Sequence, residues 1–253
     1  MTELVQGYVR SGVNRPLRVV SIIVPVFNEK ESIKQLIDQI FAVDIPFAKK
    51  QTIIVDDGST DGTQEWLQQR FSASSAAGMD VKLVCQPRNL GKGSAIRTAL
   101  QSAEGWVTVI LDADLELDPA DIPRLVNPIL AGDADVVFGN RFVHGWGQAR
   151  DILHYVTNKS LTFLAKLLTR IELNDVEVGF KAFRTDLLRR MALHSKRFEI
   201  EMELTAKVAR LGCRVGEVPV SYTKRANPYK KKFRWWLDGI RAVYWLVYFR
   251  RFD

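Results

Sequence analysis

The sequence predicts an α/β fold in which helices cover both faces of a mostly parallel central sheet. Short apolar runs alternate with segments whose apolar residues recur at helical spacing. Such alternation is typical of βαβ units, which build parallel sheets. The 253 residues, 47% of them apolar, are enough for one large core. We place the main domain at residues 1–223, with core motifs from about residue 19, and treat residues 224–253 as a C-terminal extension.

Four strands are predicted in the first half of the chain: Val19–Phe27, Thr52–Val55, Val81–Cys85 and Trp106–Leu111. Segments with helical spacing follow the first three, around Ile33–Phe41, Trp66–Phe71 and Ile96–Leu100. Asn28 is predicted to cap the first helix, because Glu31 follows it at the capping-box spacing.

The second half continues the pattern after Asp118-Pro119, a typical helix start. A helix through Ile122–Ile129 is followed by further predicted elements: strand Ala134–Phe138, helix Ile152–Thr169, strand Phe180–Arg184, helix Glu201–Leu211 and strand Val215–Tyr222. Gly212 is suited to end the last helix. The segment 142–150 has two glycines, a tryptophan and no clear period, which predicts a mobile loop beside the site.

Three acidic residues at every second position, Asp112, Asp114 and Glu116, follow the fourth strand. Carboxylates this close repel one another, and a divalent cation would relieve the repulsion. Oxygen-only ligands favour Mg²⁺ or Mn²⁺, held against a substrate's phosphates. The alternative is a polar strand exit with solvated acids.

Polar groups also follow the other strands of this half. Asn28 and Glu29 follow the first strand, Asp56 and Asp57 the second, and a glycine-rich loop at 91–93 the third. Ligands bind beyond the carboxyl ends of strands in such sheets. The convergence therefore predicts a combined metal and nucleotide site.

The net charge of +7 lies entirely in residues 224–253, which hold nine Lys or Arg and two Asp or Glu. Six of these cations fall within residues 224–234, ahead of a helix-like segment whose stripe is Trp236, Ile240, Val243 and Val247. Basic clusters beside Trp and Tyr are typical of helices at a membrane surface. Two alternatives stay open: the aromatic residues pack on the domain, or the basic segment binds nucleic acid.

Two cysteines without metal-like spacing favour a reducing compartment. The N-terminus lacks a signal-peptide apolar region, and no apolar run approaches the roughly 20 residues of a membrane span. We expect a cytoplasmic protein, peripheral at the inner face of the membrane.

The motifs, taken in order, resemble the family 2 inverting glycosyltransferases, whose fold is the nucleotide-sugar-binding A-type. Within that family the chain is similar to dolichyl- or polyprenyl-phosphate sugar (mannosyl or glucosyl) transferases, in a bacterial branch. The matching segments cover about residues 19–225: S-I-I-V-P-V-F-N-E, I-I-V-D-D-G-S-T-D-G-T, N-L-G-K-G-S-A-I-R, L-D-A-D-L-E, G-N-R-F, D-V-E-V-G-F-K-A-F-R and E-V-P-V-S-Y with the following Arg225.

The resemblance implies a donor site for a GDP- or UDP-linked sugar. The residues implied to line its nucleoside pocket are Pro25, Phe27, Asn28, Glu29 and one or both of Asp56 and Asp57. Those near the diphosphate are Gly91, Lys92, Asp112, Ala113 and Asp114, with Glu116 as a third ligand of Mg²⁺ or Mn²⁺ beside Asp112 and Asp114. Turn capping by Asp56 and Asp57 is the alternative role, and Lys92 could equally be a solvated loop charge.

The acceptor implied by the resemblance is a lipid phosphate. Arg141 and Arg225 are implied to bind it, since a guanidinium matches phosphate geometry, and they complete the catalytic set with Asp112 and Asp114. Lys196 falls near the acceptor side in some relatives, although a solvated charge explains it as well.

One departure concerns the helix after the predicted loop. Where many lipid-phosphate transferases carry an Arg and a Ser four residues apart, this chain has His154 and Asn158; we assign His154 no catalytic role. Asp175 and Glu177 match a family acidic position, and they either orient or deprotonate an acceptor hydroxyl or cap the next turn.

The predicted reaction is metal-dependent transfer of a sugar with inversion, most simply to a polyprenyl phosphate. A sugar hydroxyl in polysaccharide or glycolipid synthesis is the alternative acceptor, and it would require a carboxylate base. A nucleotidyltransferase would share the fold and the metal. Nucleic-acid binding leaves the convergence of carboxylates unexplained, so no nucleic-acid partner is expected.

Overall fold

The computed structural model describes residues 18–71, 80–143, 152–224 and 235–251. Its strands are β1 (Arg18–Val26), β2 (Ala48–Asp56), β3 (Asp80–Cys85), β4 (Val107–Leu111), β5 (Val136–Asn140), β6 (Phe180–Arg184) and β7 (Val215–Pro219). Its helices are α1 (Ile33–Ala42), α2 (Thr63–Phe71), α3 (Lys92–Leu100), α4 (Ile122–Ala131), α5 (Ile152–Thr169), α6 (Thr185–Arg190), α7 (Ile200–Arg210) and α8 (Trp235–Arg251), with a short 3₁₀ turn at Pro119–Asp121.

All seven strands form one sheet in the order β3-β2-β1-β4-β6-β5-β7. The pairs β3–β2, β2–β1, β1–β4 and β5–β7 are parallel, whereas β6 runs antiparallel to both β4 and β5. The predicted mostly parallel α/β fold is therefore confirmed, with one reversed strand that the sequence did not predict.

The central strands are largely apolar because they are covered on both faces. Every residue of β4 and β5 is buried. Helices α3 and α4 contribute to that cover: α3 packs on β1 and β2, and α4 packs on β4, β5 and β6. The carboxyl ends of β1, β2 and β4 are thereby fixed beside one another.

The predicted cap of α1 was wrong. The helix begins at Ile33 with Ser32 at its N-cap position. Asn28 has a left-handed backbone, with φ of 55°, and its side chain accepts a hydrogen bond from the Thr60 backbone N–H at 2.8 Å. The Asn28 side chain binds the turn after β2 instead of the helix N-terminus, and it therefore connects the ends of β1 and β2.

The C-terminal helix α8 packs on α5 and α7. Leu246 and Phe249 are buried in a small second core, whereas Tyr244, Val247 and Tyr248 are exposed. The buried face confirms packing on the domain for some of these residues, whereas membrane contact of the exposed face stays a prediction. The predicted stripe residues Trp236 and Ile240 have side chains outside the described part. Among the described residues, no helix combines the length and hydropathy that a bilayer span requires.

Candidate active site

The carboxyl ends of β1, β2 and β4 open on a cavity of about 660 Å³, a volume in the range of small-molecule sites. Most of the predicted donor-site residues line it: Pro25, Phe27, Asn28, Glu29, Asp57, Gly91, Lys92, Asp112, Ala113, Asp114 and Glu116. The sequence did not predict five further residues of its wall: Val26, Asn89, Ala95, Arg197 and Phe198. The structure therefore brings together in one cavity motifs that are up to 90 residues apart in the sequence.

The acidic turn after β4 has a constrained backbone. Leu115 adopts φ of 61°, a conformation that is unfavourable for residues other than glycine. The Asp114 side chain accepts the Glu116 N–H at 3.1 Å and helps to hold that turn. Strain of this kind persists only where the surroundings enforce it, and it is found often at functional sites.

Glu116, the third acidic residue of the turn, is hydrogen-bonded to the segment that follows β7. Its side chain accepts a hydrogen bond from the Tyr222 hydroxyl at 3.3 Å, and the Thr223 N–H donates to its carbonyl at 2.8 Å. Burial and the neighbouring Glu116 carboxylate raise the pKa of Tyr222 to about 12, which keeps this hydroxyl a donor. Glu116 thereby links the acidic turn to the strand end of β7.

Gly179, which precedes β6, leaves room for Asp112. A Cβ at this glycine would lie 1.9 Å from Asp112 Oδ2 and 2.5 Å from its Cγ. The antiparallel strand β6 is thus responsible for bringing a bare backbone against the first aspartate of the turn. Only glycine at this position allows the observed carboxylate to stay in place.

Lys92 is paired with two carboxylates at the base of the cavity. Its Nζ lies 2.6 Å from Asp112 Oδ1 and 2.7 Å from Glu201 Oε1. The other oxygen of Glu201 is bound by Lys181, which is itself buried. Burial acts to lower the pKa of Lys92, but Asp112 and Glu201 outweigh it and raise that pKa, so Lys92 is charged. Lys92 is therefore an internal ion-pair partner rather than a solvated loop charge.

Asp56 and Asp57 have different surroundings. Asp57 lies on the cavity wall and accepts the N–H groups of Leu90 and Gly91, both at 2.8 Å. Asp56 is fully buried behind the cavity and accepts the backbone N–H groups at residues 58 and 59. Turn capping, the alternative role, describes Asp56; Asp57 both holds the glycine-rich loop and borders the cavity.

The glycine-rich loop is packed against the segment 195–197. A Cβ at Gly91 would lie 2.3 Å from the Lys196 carbonyl oxygen, and Ser94 donates its N–H to the same oxygen at 3.0 Å. Lys196 thus contributes its backbone to the loop, while its side chain is exposed. Its neighbours Arg197 and Phe198 form the cavity rim.

Arg141 is buried and is held by a bidentate ion pair. Its Nε and Nη2 donate to Asp175 at 2.7 and 2.8 Å, and its guanidinium lies 5.7 Å from the ring centroid of Tyr222. Burial acts to raise the pKa of Asp175, but Arg141 outweighs it and lowers that pKa. Since Asp175 is fully buried, ionised and paired, its contacts are those of a group that positions Arg141.

Glu177 and Asn158 lie beside that pair. The Asn158 amide donates to Asp175 at 3.1 Å and to Glu177 at 3.3 Å. Burial raises the pKa of Glu177, which is the feature expected of a proton acceptor that works near neutral pH. Asn158 therefore replaces the family's serine with a residue that joins both carboxylates.

Three expectations lie outside the described residues. They are the phosphate-binding role of Arg225, the mobile loop over residues 144–150 and the side chain of His154. They stay predictions.

The cavity is acidic and fits a divalent cation accompanied by phosphate. Five carboxylates line it, from Glu29, Asp57, Asp112, Asp114 and Glu116, against the two cations of Lys92 and Arg197. No group of three candidate ligands is preassembled among the described residues. Mg²⁺ and similar ions are often held by one or two carboxylates plus substrate phosphates, so Asp112 and Asp114 suit such an ion without a third protein ligand.

Several polyprenyl-phosphate sugar transferases are similar in sequence. A dodecaprenyl-phosphate galacturonate synthase of Rhizobium johnstonii is 26% identical over 250 residues, covering 94% of this chain and 70% of that protein. An undecaprenyl-phosphate mannosyltransferase of Micrococcus luteus is 29% identical over 221 residues, covering 83% and 85%. A dolichol-phosphate mannosyltransferase of Pyrococcus furiosus is 30% identical, covering 90% and 63%.

The fold is also shared with solved structures. A glucosyl-3-phosphoglycerate synthase of Mycobacterium tuberculosis, solved with Mn²⁺, UDP-glucose and phosphoglyceric acid, superposes with a TM-score of 0.69 at 21% identity, covering 91% of this chain and 79% of that one. The sequence model of glycosyl transferase family 2 matches residues 21–192, which include β1 through β6. The chain therefore belongs to glycosyl transferase family 2 and is a glycosyltransferase.

Proposed function

We propose that the protein transfers a sugar, with inversion and with Mg²⁺ or Mn²⁺, from a nucleoside-diphosphate sugar to a polyprenyl phosphate at a membrane surface. The observation that carries the proposal is the acidic turn Asp112–Glu116 in one cavity with the glycine-rich loop. Tyr222 connects that turn to Arg141, because its hydroxyl donates to Glu116 and its ring lies against the guanidinium. A metal–diphosphate site and an anion-binding arginine are thus neighbours.

On the donor side, the metal would stabilise the charge that develops on the leaving diphosphate. Asp112 and Asp114 are the residues that would hold it, while Glu116 Oε2 accepts a hydrogen bond from the Tyr222 hydroxyl. Five carboxylates repel a bare diphosphate, so the donor binds as its metal complex. Phe27 and Phe198, both exposed on the cavity wall, offer ring faces to the nucleoside.

On the acceptor side, Arg141 is held ready for an anion. Asp175 occupies Nε and Nη2, which leaves the Nη1 edge for a phosphate oxygen. An ionised lipid phosphate attacks the anomeric carbon without a general base, and a positioned guanidinium orients it and offsets its charge. Arg225 is proposed as the second arginine.

A hydroxyl acceptor is the second candidate, and the raised pKa of Glu177 is the observation that favours it. Such an acceptor needs a base to remove its proton as the sugar–oxygen bond forms. Glu177 suits that role better than Asp175, whose pKa is lowered by Arg141. Glu177→Gln would separate the two candidates: transfer to lipid phosphate survives the substitution, whereas transfer to a hydroxyl is lost.

Membrane contact is proposed for the face formed by α5 and α8. Four exposed apolar residues of α5 fall within about 60° of the helix circumference: Ile152, Val156, Phe163 and Leu167. Tyr244, Val247 and Tyr248 of the neighbouring α8 are exposed too. Exposed apolar residues on a helix, with a basic segment preceding α8 in the sequence, are the pattern of a peripheral interfacial helix. It supports a cytoplasmic protein that works at the inner membrane face.

The membrane contact is tested by cosedimentation with vesicles that contain anionic lipid. Phe163→Ser is expected to lower the bound fraction, because Phe163 is 67% exposed on the stripe. Phe47→Ser is the matched control, at an exposed phenylalanine just before β2. Equal loss in both variants, or in neither, would argue against this face.

The transfer itself is tested with a panel of UDP- and GDP-sugars and polyprenyl phosphate. Release of a nucleoside diphosphate together with a glycosylated lipid of inverted configuration is expected, and Asp114→Ala should remove it. Release of a sugar phosphate, with the nucleotidyl group transferred to the acceptor, would show cleavage of the phosphate–phosphate bond instead and would indicate a nucleotidyltransferase. Full transfer by Asp114→Ala in the presence of Mg²⁺ would refute the metal assignment.

A further inference from the structure

A lysine ammonium lies where the metal is expected. Lys92 Nζ is 2.6 Å from Asp112 Oδ1, closer than the usual contact of an exposed ion pair, and its side chain is only 10% exposed. The partner is the first aspartate of the acidic turn, a residue proposed to hold the metal. In the metal-free protein the charge of the Asp112 carboxylate is therefore already balanced by the Lys92 ammonium.

The lysine has a second anchor that does not depend on Asp112. Glu201 Oε1 accepts from Lys92 at 2.7 Å, and Glu201 Oε2 is paired with the buried Lys181. Lys181 also donates to the Val178 carbonyl, so it is fixed in the core. Glu201 is thus tied in place from its other oxygen, and Lys92 keeps an ion-pair partner if Asp112 is withdrawn.

Metal and lysine cannot share Asp112 without cost. A divalent ion on Asp112 would lie within a few ångströms of a like-charged ammonium in a partly buried site, where repulsion is poorly screened. A diphosphate would reverse that repulsion, since its oxygens attract both cations. The arrangement opposes metal alone and admits metal together with a diphosphate.

We propose that Lys92 is an exchangeable internal cation, which neutralises Asp112 in the free protein and passes to Glu201 and the donor diphosphate when the metal binds. Glu201 is then a positioning residue that retains Lys92 during the exchange. The proposal rests on the metal–diphosphate site proposed above. It adds that binding of metal and nucleotide is cooperative and that Lys92 is the source of the cooperativity.

The test measures Mn²⁺ binding directly, by the electron paramagnetic resonance signal of free Mn²⁺, with no turnover involved. Lys92→Met is expected to bind Mn²⁺ alone about tenfold more tightly than the natural protein, within the usual range of coupling between sites. Lys34→Met, at an exposed lysine of α1, is the matched control for net charge and should leave the affinity unchanged. Adding UDP or GDP should tighten Mn²⁺ binding in the natural protein and do so much less in Lys92→Met.

Unchanged or weaker Mn²⁺ binding by a folded Lys92→Met would overturn the proposal, as would a nucleotide effect equal to that of the natural protein. If this variant fails to fold, Lys92→Gln keeps a hydrogen-bond donor without the charge and should give the same tightening. Absence of Mn²⁺ binding in every variant, with or without nucleotide, would overturn both the exchange and the proposed metal. Coupling of Mn²⁺ and nucleotide binding that falls in Lys92→Met, without sugar transfer to any acceptor, would support the exchange while refuting the proposed reaction.

Discussion

Replacing Gly179 with alanine places a methyl group where the Asp112 carboxylate now lies. The added Cβ would be 1.9 Å from Oδ2, whereas ordinary contact begins at 3.4 Å. The carboxylate must therefore retreat by about 1.5 Å, or β6 must shift away from β4. Because β6 is paired with β4 along five residue pairs, from Val107↔Arg184 to Leu111↔Phe180, movement of the carboxylate is the easier response.

A displacement of this size is expected to cost about 100-fold in kcat/KM for sugar transfer, the loss typical of a 1 Å misplacement in an active site. That factor corresponds to about 2.7 kcal/mol of transition-state stabilisation. Overpacking should also lower the free energy of unfolding by about 1–3 kcal/mol. Steady-state kinetics over a range of Mn²⁺ concentrations and urea unfolding measure the two effects separately.

Gly216→Ala is the control for this substitution. Gly216 lies in β7, and a Cβ there would meet its nearest neighbour, Val137, at an ordinary 3.4 Å. The same chemical change should therefore leave kcat/KM within a factor of two or three. If Gly179→Ala retained natural kcat/KM and Mn²⁺ dependence, the position of Asp112 would not matter to transfer, and the assignment of this carboxylate to the metal would fail.

Three further changes test the surrounding contacts. Asp175→Asn leaves the buried Arg141 charge uncompensated and should lower the free energy of unfolding by about 3 kcal/mol in urea titrations; an unchanged midpoint would contradict the pairing. Hydrogen bonds from Arg214 lower the pKa of Asp135, so this carboxylate stabilises the fold fully above its unfolded pKa near 4 and loses the contribution as pH falls through the lower folded pKa. Thermal unfolding should accordingly show Asp135→Asn destabilised at pH 7 and approaching the natural protein on acidification, and a gap that widened at low pH would refute this. Leu246→Ala, at a fully buried site, should cost about 2–5 kcal/mol of unfolding free energy. Tyr248→Ala, at a partly exposed ring, should cost less, about 1 kcal/mol, and equal losses would contradict the described packing of α8.

The sequence predicts elements well where periodicity is strong. Helix α5 and strand β6 have the predicted bounds, because long helical spacing and a short apolar run between turns are unambiguous patterns. Strand β2 instead begins four residues earlier than predicted, at Ala48. The added residues include Lys49 and Lys50, whose charges are typical of a loop. Lys50 nevertheless donates to the backbone carbonyls of Ile40 and Phe41 at the end of α1. A lysine that caps a helix from a strand gives no local signal.

The order and direction of strands also have no local signal. Strand β6 is short and buried like its neighbours, and nothing in Phe180–Arg184 shows that it runs antiparallel between β4 and β5. That reversal brings Gly179 onto Asp112. The sequence predicts the carboxylates of the site from their spacing, but not the backbone that confines them.

The ion-pair partners were missed for a related reason. Glu201 and Lys181 are 109 and 89 positions from Lys92, and each sits in an element whose pattern looks ordinary. The only available signal is that both charges occupy positions that the element buries: Lys181 lies between Phe180 and Ala182 in a buried strand. Buried charges require partners. A charged residue at a buried position therefore indicates that a partner of opposite charge exists, but the sequence does not identify which residue it is.

The cavity has three more carboxylates than cations, five against Lys92 and Arg197. Lys92 balances Asp112, Lys181 balances Glu201, and Arg141 balances Asp175, each within a buried or half-buried pair. The remaining carboxylates of the cavity exceed its cations, and burial makes that excess costly. A ligand that supplies both a divalent cation and phosphates would offset this excess of negative charge. Its phosphates would also pair with Lys92 once that lysine has left Asp112. Under the proposed function, the free protein recognises a metal-bound nucleotide as a unit, and Arg141, which lies against Tyr222, is the proposed site for a second anion.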